Sequence, residues 1–217
     1  MAVDFEAARA GMVAEQIEAR GFRDQAVLQA MGRVPRHLFV EPALLERAYE
    51  DTPLPIGERQ TISQPYMVAL MTEALELRGG ERVLEVGTGS GYQAAILAEV
   101  GVRVLSLERV PALAERARAL LAALGYADQV RVEVADGTLG WAAEAPYEAI
   151  LVTAGAPQLP RPLIEQLAPS GRLVLPIGED ELQTLVRIRR GPQGLAEEYL
   201  GECRFVKLLG SYGWEEP

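Results

Sequence analysis

Two short segments carry residue types and spacings that could do chemistry. In Glu85-Val86-Gly87-Thr88-Gly89-Ser90-Gly91 three glycines alternate behind an acid. Glycine lets the chain turn sharply and lets a ligand approach the backbone. The spacing is not the G-x-G-x-x-G of a dinucleotide site, because the third glycine comes one residue early. Glu85 beside the loop would repel a pyrophosphate and favour a cation. A sulfonium compound with an amino-acid tail and a nucleoside fits that charge pattern. Upstream, Thr61-Ile62-Ser63-Gln64-Pro65 offers a hydroxyl just ahead of a proline that suits a first helical turn. Ser63 there could cap the helix, orient a bound anion, or do both.

Two further acids follow in register. Arg103-Val104-Leu105-Ser106-Leu107 reads as a strand and ends in Glu108, placed to accept from both ribose hydroxyls. Val130-Arg131-Val132-Glu133-Val134 is followed by Asp136-Gly137. An Asp there could accept from an exocyclic adenine amine, with Gly137 leaving room for the ring. Each piece also has an ordinary reading: a tight turn, a surface acid or helix cap, an Asp-Gly turn. All three at the carboxyl ends of successive strands favour a ligand site, since ligands of open α/β sheets bind there.

The elements that must position these groups are legible as periodicity. Phe5, Ala8, Met12, Val13 and Ile17 recur at helical spacing, Asp24 is a candidate N-cap, and Pro42 opens a short helix. Residues 51–65, with Pro53, Pro55, Gly57 and Pro65, read as a loop, and a helix runs from Pro65 to about Glu76. Strands are expected at 82–86, 103–107, 130–134, 148–152 and 172–176, and helices at 92–99, 111–124 and 160–168. That alternation spells a parallel sheet with right-handed crossovers. Gln183–Arg190 and Glu197–Val206 flank Gly191-Pro192-Gln193-Gly194 as a hairpin. The whole reads as one α/β domain over residues 1–217. It comprises a helical N-terminal cap with the Ser63 segment (1–78), a cofactor-binding core (79–178) and a C-terminal hairpin and tail (179–217).

Composition bounds the function classes. A chain of 217 residues can bury one sizeable core. The net charge of −10 disfavours sequence-independent nucleic-acid binding, which relies on neutralising phosphates. No stretch is apolar enough to suggest a membrane span or a signal peptide, so the chain reads as cytoplasmic. The single cysteine, Cys203, excludes an internal disulfide and a multi-cysteine metal site, and no metal is expected. Lys207 is the only lysine and asparagine is absent, which thermal adaptation and codon bias explain equally well. The lone histidine, His37, beside Pro35, reads as a packing residue.

Taken together, these residues resemble the class I S-adenosylmethionine-dependent methyltransferases, and more narrowly the protein-L-isoaspartate O-methyltransferases. The narrow resemblance rests on Gln60–Met67, Val34-Pro35-Arg36-His37-Leu38-Phe39-Val40, Leu84–Tyr92, Thr153-Ala154-Gly155-Ala156-Pro157 and Arg172–Gly178. It runs from about residue 10 to about residue 206. It implies a Rossmann-like methyltransferase fold: a mostly parallel sheet, helices on both faces, an antiparallel C-terminal hairpin and a helical N-terminal extension.

The resemblance also implies a reaction. S-adenosyl-L-methionine would donate a methyl group to the free α-carboxylate of an isoaspartyl residue in a damaged protein or peptide, leaving S-adenosyl-L-homocysteine. The ester would cyclise to a succinimide, whose hydrolysis returns some normal aspartate. Glu85, Gly87, Thr88, Gly89, Gly91, Glu108, Asp136 and Gly137 would hold the cofactor. Thr61, Ile62, Ser63, Ala154 and Gly155 would hold the substrate, with Ser63 as the orienting catalytic residue. A carboxylate is ionised at neutral pH, so no general base is required. Attack of an anion on a cation disperses charge, so a dry pocket with few strong donors suits it. Competing readings are a methyltransferase of the same fold acting on tRNA or a small molecule, and a non-enzymatic S-adenosylmethionine-binding protein. Oligomeric state is not encoded in any segment read here.

Overall fold

The computed structural model describes residues 3–215. Helix α1 (Phe5–Gly11) is capped by the Asp4 carboxylate, which accepts from the backbone N–H groups of Glu6 and Ala7. It continues as a π-helical stretch (Met12–Ile17) and one 3₁₀ turn, ending at Gly21 with φ +100°. Asp24 caps α2 (Gln25–Arg33) through the N–H groups of Ala26 and Val27. Residues 54–62, expected to be loop, form a small ribbon of β1 (Leu54–Gly57) and β2 (Gln60–Ile62). Its tight turn puts Gly57, Glu58 and Arg59 at positive φ. Pro55 is tolerated because a two-stranded ribbon consists only of edges. Helix α3 (Pro65–Ala74) follows with Pro65 in its first turn.

The main sheet begins with β3 (Arg82–Val86), α4 (Tyr92–Glu99), β4 (Arg103–Glu108), α5 (Pro111–Ala123) and β5 (Val130–Val134). It is completed by β6 (Tyr147–Val152), α6 (Arg161–Glu165), β7 (Leu167–Gly178), β8 (Gln183–Gly191) and β9 (Gly194–Cys203). The seven strands lie in the order β5-β4-β3-β6-β7-β8-β9. β3 to β7 pair in parallel, and β8 and β9 add antiparallel edges. The order reverses between β3 and β6, the topological switch point where open α/β sheets bind ligands. Two expected boundaries move. α6 stops at Glu165, and β7 starts at Leu167, well before residue 172, with an irregular register against β6.

Alternate residues of each strand feed two cores. Val83, Val104, Ala149 and Val174 pack with α2 to α5 on one face. Leu84, Leu105, Ile150 and Leu173 pack with α6 and Leu208 on the other. Burial on both faces explains why β3, β4 and β6 read as continuous apolar runs. Among the described residues, no helix is long and apolar enough to cross a membrane.

Candidate active site

The carboxyl ends of β3, β4 and β6 open onto a cleft of about 880 Å³, its mouth to solvent included. Gly87, Thr88, Gly89, Glu108, Gly137 and Ala154 line it together with Thr61, Ile62 and Ser63. The structure thus brings together nine of the thirteen residues named from the sequence. Glu85, Gly91, Asp136 and Gly155 stand outside the lining, and each has a distinct place.

Glu85 is fully buried beneath the loop. Pairing of β3 with β4 sets Ser106 beside it, and the Ser106 hydroxyl donates to Glu85 Oε2. Thr88 Oγ1 lies 2.5 Å from Ser106 Oγ, so a chain of hydroxyls links the cleft wall to the buried carboxyl. Glu85 Oε1 is buried without a partner. Burial pushes this carboxyl up to about 8; the Ser106 bond opposes that rise and the nearby Glu108 charge adds to it.

Glu108 is neither a surface acid nor merely a cap. Only 6% exposed, it accepts from Gly89 N–H at 2.9 Å through Oε2 and from Val110 N–H at 2.9 Å through Oε1. It therefore ties the glycine loop to the start of α5 while facing the cleft. Gly87 sits at φ +98°, and a Cβ there would run into Thr153 Oγ1, which donates to Gly87 O at 2.6 Å. Gly91 caps α4 at φ +89°; a Cβ would come within 3.3 Å of Leu121 on α5.

Asp136 holds the C-terminal tail. Oδ1 accepts from Thr138 N–H at 2.9 Å and Thr138 Oγ1 at 2.6 Å, and Oδ2 accepts from Ser211 N–H at 2.8 Å. Burial alone would raise this carboxyl, but the bonds from Ser211 and Thr138 outweigh it and hold Asp136 below the usual value. At Gly155 a Cβ would run into the Gln183 side chain, 2.9 Å away, and Gly155 itself is bonded through its backbone to the chain's own tail. Its N–H donates to Val206 O at 2.7 Å, and its carbonyl accepts from Leu208 N–H at 2.8 Å and Trp214 Nε1 at 3.0 Å.

Ser63 does not cap α3. The N-cap is Gln64, without a side-chain bond, and Asp51 Oδ1 instead accepts from Tyr66 N–H at 3.2 Å. No group among the described residues bonds the Ser63 hydroxyl, and Ser63 lines the cleft. The backbone of Ser63 is held from behind, its carbonyl accepting from Arg36 Nη2 at 2.8 Å. His37 stacks on Phe5 with ring centroids 4.1 Å apart and its Nδ1 meets Tyr49 Oη at 2.8 Å, a packing role. Burial, then the Arg9 charge, lower its pKa.

A family model for protein-L-isoaspartate(D-aspartate) O-methyltransferase matches residues 8–213. This chain belongs to that family. A protein-L-isoaspartate O-methyltransferase of Syntrophobacter fumaroxidans is 58% identical over 213 residues, covering 98% of this chain and 99% of the relative. One from Methanoculleus marisnigri is 55% identical over 207 residues, covering 95% and 94%. A solved protein-L-isoaspartate O-methyltransferase superposes with a TM-score of 0.85 at 31% identity, over 94% of this chain and 67% of the other. A Plasmodium falciparum protein assigned to the same activity was solved with S-adenosyl-L-homocysteine. It gives a TM-score of 0.81 at 28% identity, over 96% and 99%.

Within this family member, sequence reasoning overlooked part of the cleft. Val206, Lys207, Leu208 and Leu209 form a wall of it. Lys207 Nζ lies 2.8 Å from Asp180 Oδ2 and 5.1 Å from the Trp214 ring centroid. The one available signal was the chain's single lysine beside a Gly- and aromatic-rich tail. Isolated bridges such as Gly155 with Lys207 have no periodicity to detect.

Proposed function

We propose that this protein transfers the methyl group of S-adenosyl-L-methionine to the α-carboxylate of L-isoaspartyl residues in damaged proteins and peptides, acting in the cytoplasm as a repair enzyme. The observation that carries the reading is that Ser63, which does not cap α3, lines the same cleft as Gly87–Gly89 and Glu108.

The residues present fit the cofactor. Glu108 faces the cleft as an acceptor for ribose hydroxyls, since each oxygen has accepted one bond and a carboxylate offers about four lone-pair sites. Glu85 keeps one buried oxygen without a partner among the described residues, beneath the glycine loop. Gly137 has no side chain where a Cβ would run into Val86, which also lines the cleft. Thr88 presents a hydroxyl backed by Ser106 and Glu85. Gly91 and Asp136 support this wall from outside, one seating α4 against α5, the other tethering the tail. Bound S-adenosyl-L-methionine supplies an electrophilic methyl carbon.

On the acceptor side the chain's residues bind and orient. Thr61, Ile62 and Ala154 close the space around the acceptor, and Gly155 acts by holding residues 206–208 in place. Ser63 donates one hydrogen bond to the acceptor carboxylate, which fixes its angle without lowering its nucleophilicity much. The carboxylate that Ser63 orients would take the methyl group, and the cofactor would leave as its neutral thioether. No proton moves, so the site needs no base, and His37 is committed to Phe5 and Tyr49.

The test is methyl transfer to two synthetic peptides identical except for Asp or isoAsp at one position. Transfer to the isoAsp peptide alone, giving a base-labile ester, is the expected result. Transfer to neither peptide, or to bulk tRNA instead, would overturn the reading.

A further inference from the structure

The Arg36 guanidinium lies outside the cleft yet touches both of its halves. It is 0% exposed and among the largest fully buried side chains. Nε donates to Ala48 O at 2.8 Å and Nη2 donates to Ser63 O at 2.8 Å. The guanidinium carbon lies 4.8 Å from the centroid of the Tyr92 ring. Tyr92 is the first residue of α4, directly behind the glycine loop, and itself lines the cleft. Nη1 is buried with no partner.

This is an expensive way to fill a core. A buried cation is costly unless paired and fully bonded, and an apolar side chain of similar volume is often as stabilising or more so. Here no carboxylate forms an ion pair with Arg36 among the described residues. Burial lowers its pKa, with Tyr92, Tyr49 and the more distant Asp51 carboxylate opposing the shift. What a guanidinium offers that an apolar residue cannot is a rigid planar fork with donors at fixed angles. Its two made bonds fix the backbone of Ala48 and Ser63 relative to each other, and its face fixes both against the residue that opens α4.

We infer that Arg36 is a positioning residue for methyl transfer, acting through Ser63: it holds the Ser63 backbone so that the hydroxyl keeps its aim at the acceptor carboxylate. This rests on the orienting role given to Ser63 above. The Arg36 bond joins Val34-Pro35-Arg36 to Thr61-Ile62-Ser63, which are distant in sequence. A lysine keeps the charge but is a point donor on a flexible stem and cannot hold both carbonyls at the guanidinium's angles.

A double-mutant cycle on the full chain tests this with an isoaspartyl peptide. Arg36→Lys should lower kcat roughly 5- to 50-fold, with KM for the peptide and Kd for S-adenosyl-L-homocysteine within about twofold of wild type. In a Ser63→Ala background the same change should cost less than about threefold, because its route of action is gone. Full multiplicative losses, or a loss of cofactor affinity matching the loss of kcat, would overturn the inference. Arg36→Gln, neutral and smaller, is read in the same way if the lysine variant fails to fold. A wild-type rate in Ser63→Ala alone would instead overturn the role of Ser63 and this inference with it. That result is distinct from additivity.

Discussion

The two walls of the cleft are built on different plans. On the cofactor side the polar groups are bound to one another: Glu108 to Gly89 and Val110, Thr88 to Ser106, Ser106 to Glu85. On the proposed acceptor side the Ser63 hydroxyl has no partner among the described residues, while its backbone is held by Arg36 and the start of α3 by Asp51. A nucleoside cofactor rewards a rigid, pre-bonded surface, because each fixed acceptor costs no reorganisation on binding. An attacking carboxylate is served by few donors, since every strong one would stabilise it more before reaction than during it. The contrast teaches that the enzyme spends its hydrogen bonds on holding the donor and leaves the acceptor oriented but lightly solvated.

The largest effect is expected from Glu108→Ala, which removes the proposed ribose acceptor and the loop tether together. Bonds to charged groups are worth roughly 1.5–3 kcal/mol each. A loss of roughly 2–4 kcal/mol corresponds to about 30- to 1000-fold weaker S-adenosyl-L-homocysteine binding by calorimetry. If the loss falls on peptide KM and leaves cofactor affinity intact, the division between walls is misdrawn.

Asp136→Asn should act through the tail. It removes the acceptor of Ser211 N–H or weakens the Thr138 pair, and hydrogen exchange of residues 208–214 should quicken. Cofactor affinity should fall only several-fold, by roughly 1 kcal/mol. Because Asp136 is held below the usual value, its contribution to stability is present above about pH 4 and is lost as pH falls further. Unchanged exchange in the tail would show that Asp136 does not tether it.

The third test concerns Glu85 and reads stability against pH, where the first two read ligand affinity. Its carboxyl is pushed up to about 8, so the folded protein keeps a proton that the unfolded chain releases near pH ~4. The associated stability is full below the unfolded value and is lost as pH rises through the folded one. Glu85→Gln cannot titrate, so its Tm should decline less than that of wild type between about pH 5 and 8. Parallel Tm profiles would show that the buried carboxyl is already ionised.

The same division governs what the sequence made legible. Glu108 and the glycine loop sit at the ends of consecutive strands, and strand periodicity alone places them side by side. The five parallel strands follow from apolar runs for the same reason. The acceptor wall is assembled from distant pieces. Nothing in local pattern says that Arg36 reaches Ser63, that Asp51 relieves Ser63 of capping, or that residues 206–209 bridge to Gly155. The ribbon at 54–62 escaped notice because prolines and glycines mimic a loop where two short edge strands suffice. Residue chemistry alone singled out Thr61–Pro65, the family resemblance added Val34–Val40, and neither showed the contact that joins them.

The most direct test of the account compares Ser63→Ala with wild type, reading kcat/KM for the isoaspartyl peptide and Kd for S-adenosyl-L-homocysteine on the same preparations. The account predicts a roughly 10- to 100-fold fall in kcat/KM at unchanged cofactor affinity, since only orientation of the acceptor is lost. A folded Ser63→Ala enzyme with a near-wild-type rate would contradict it, as would a fall in cofactor affinity large enough to explain the lost rate.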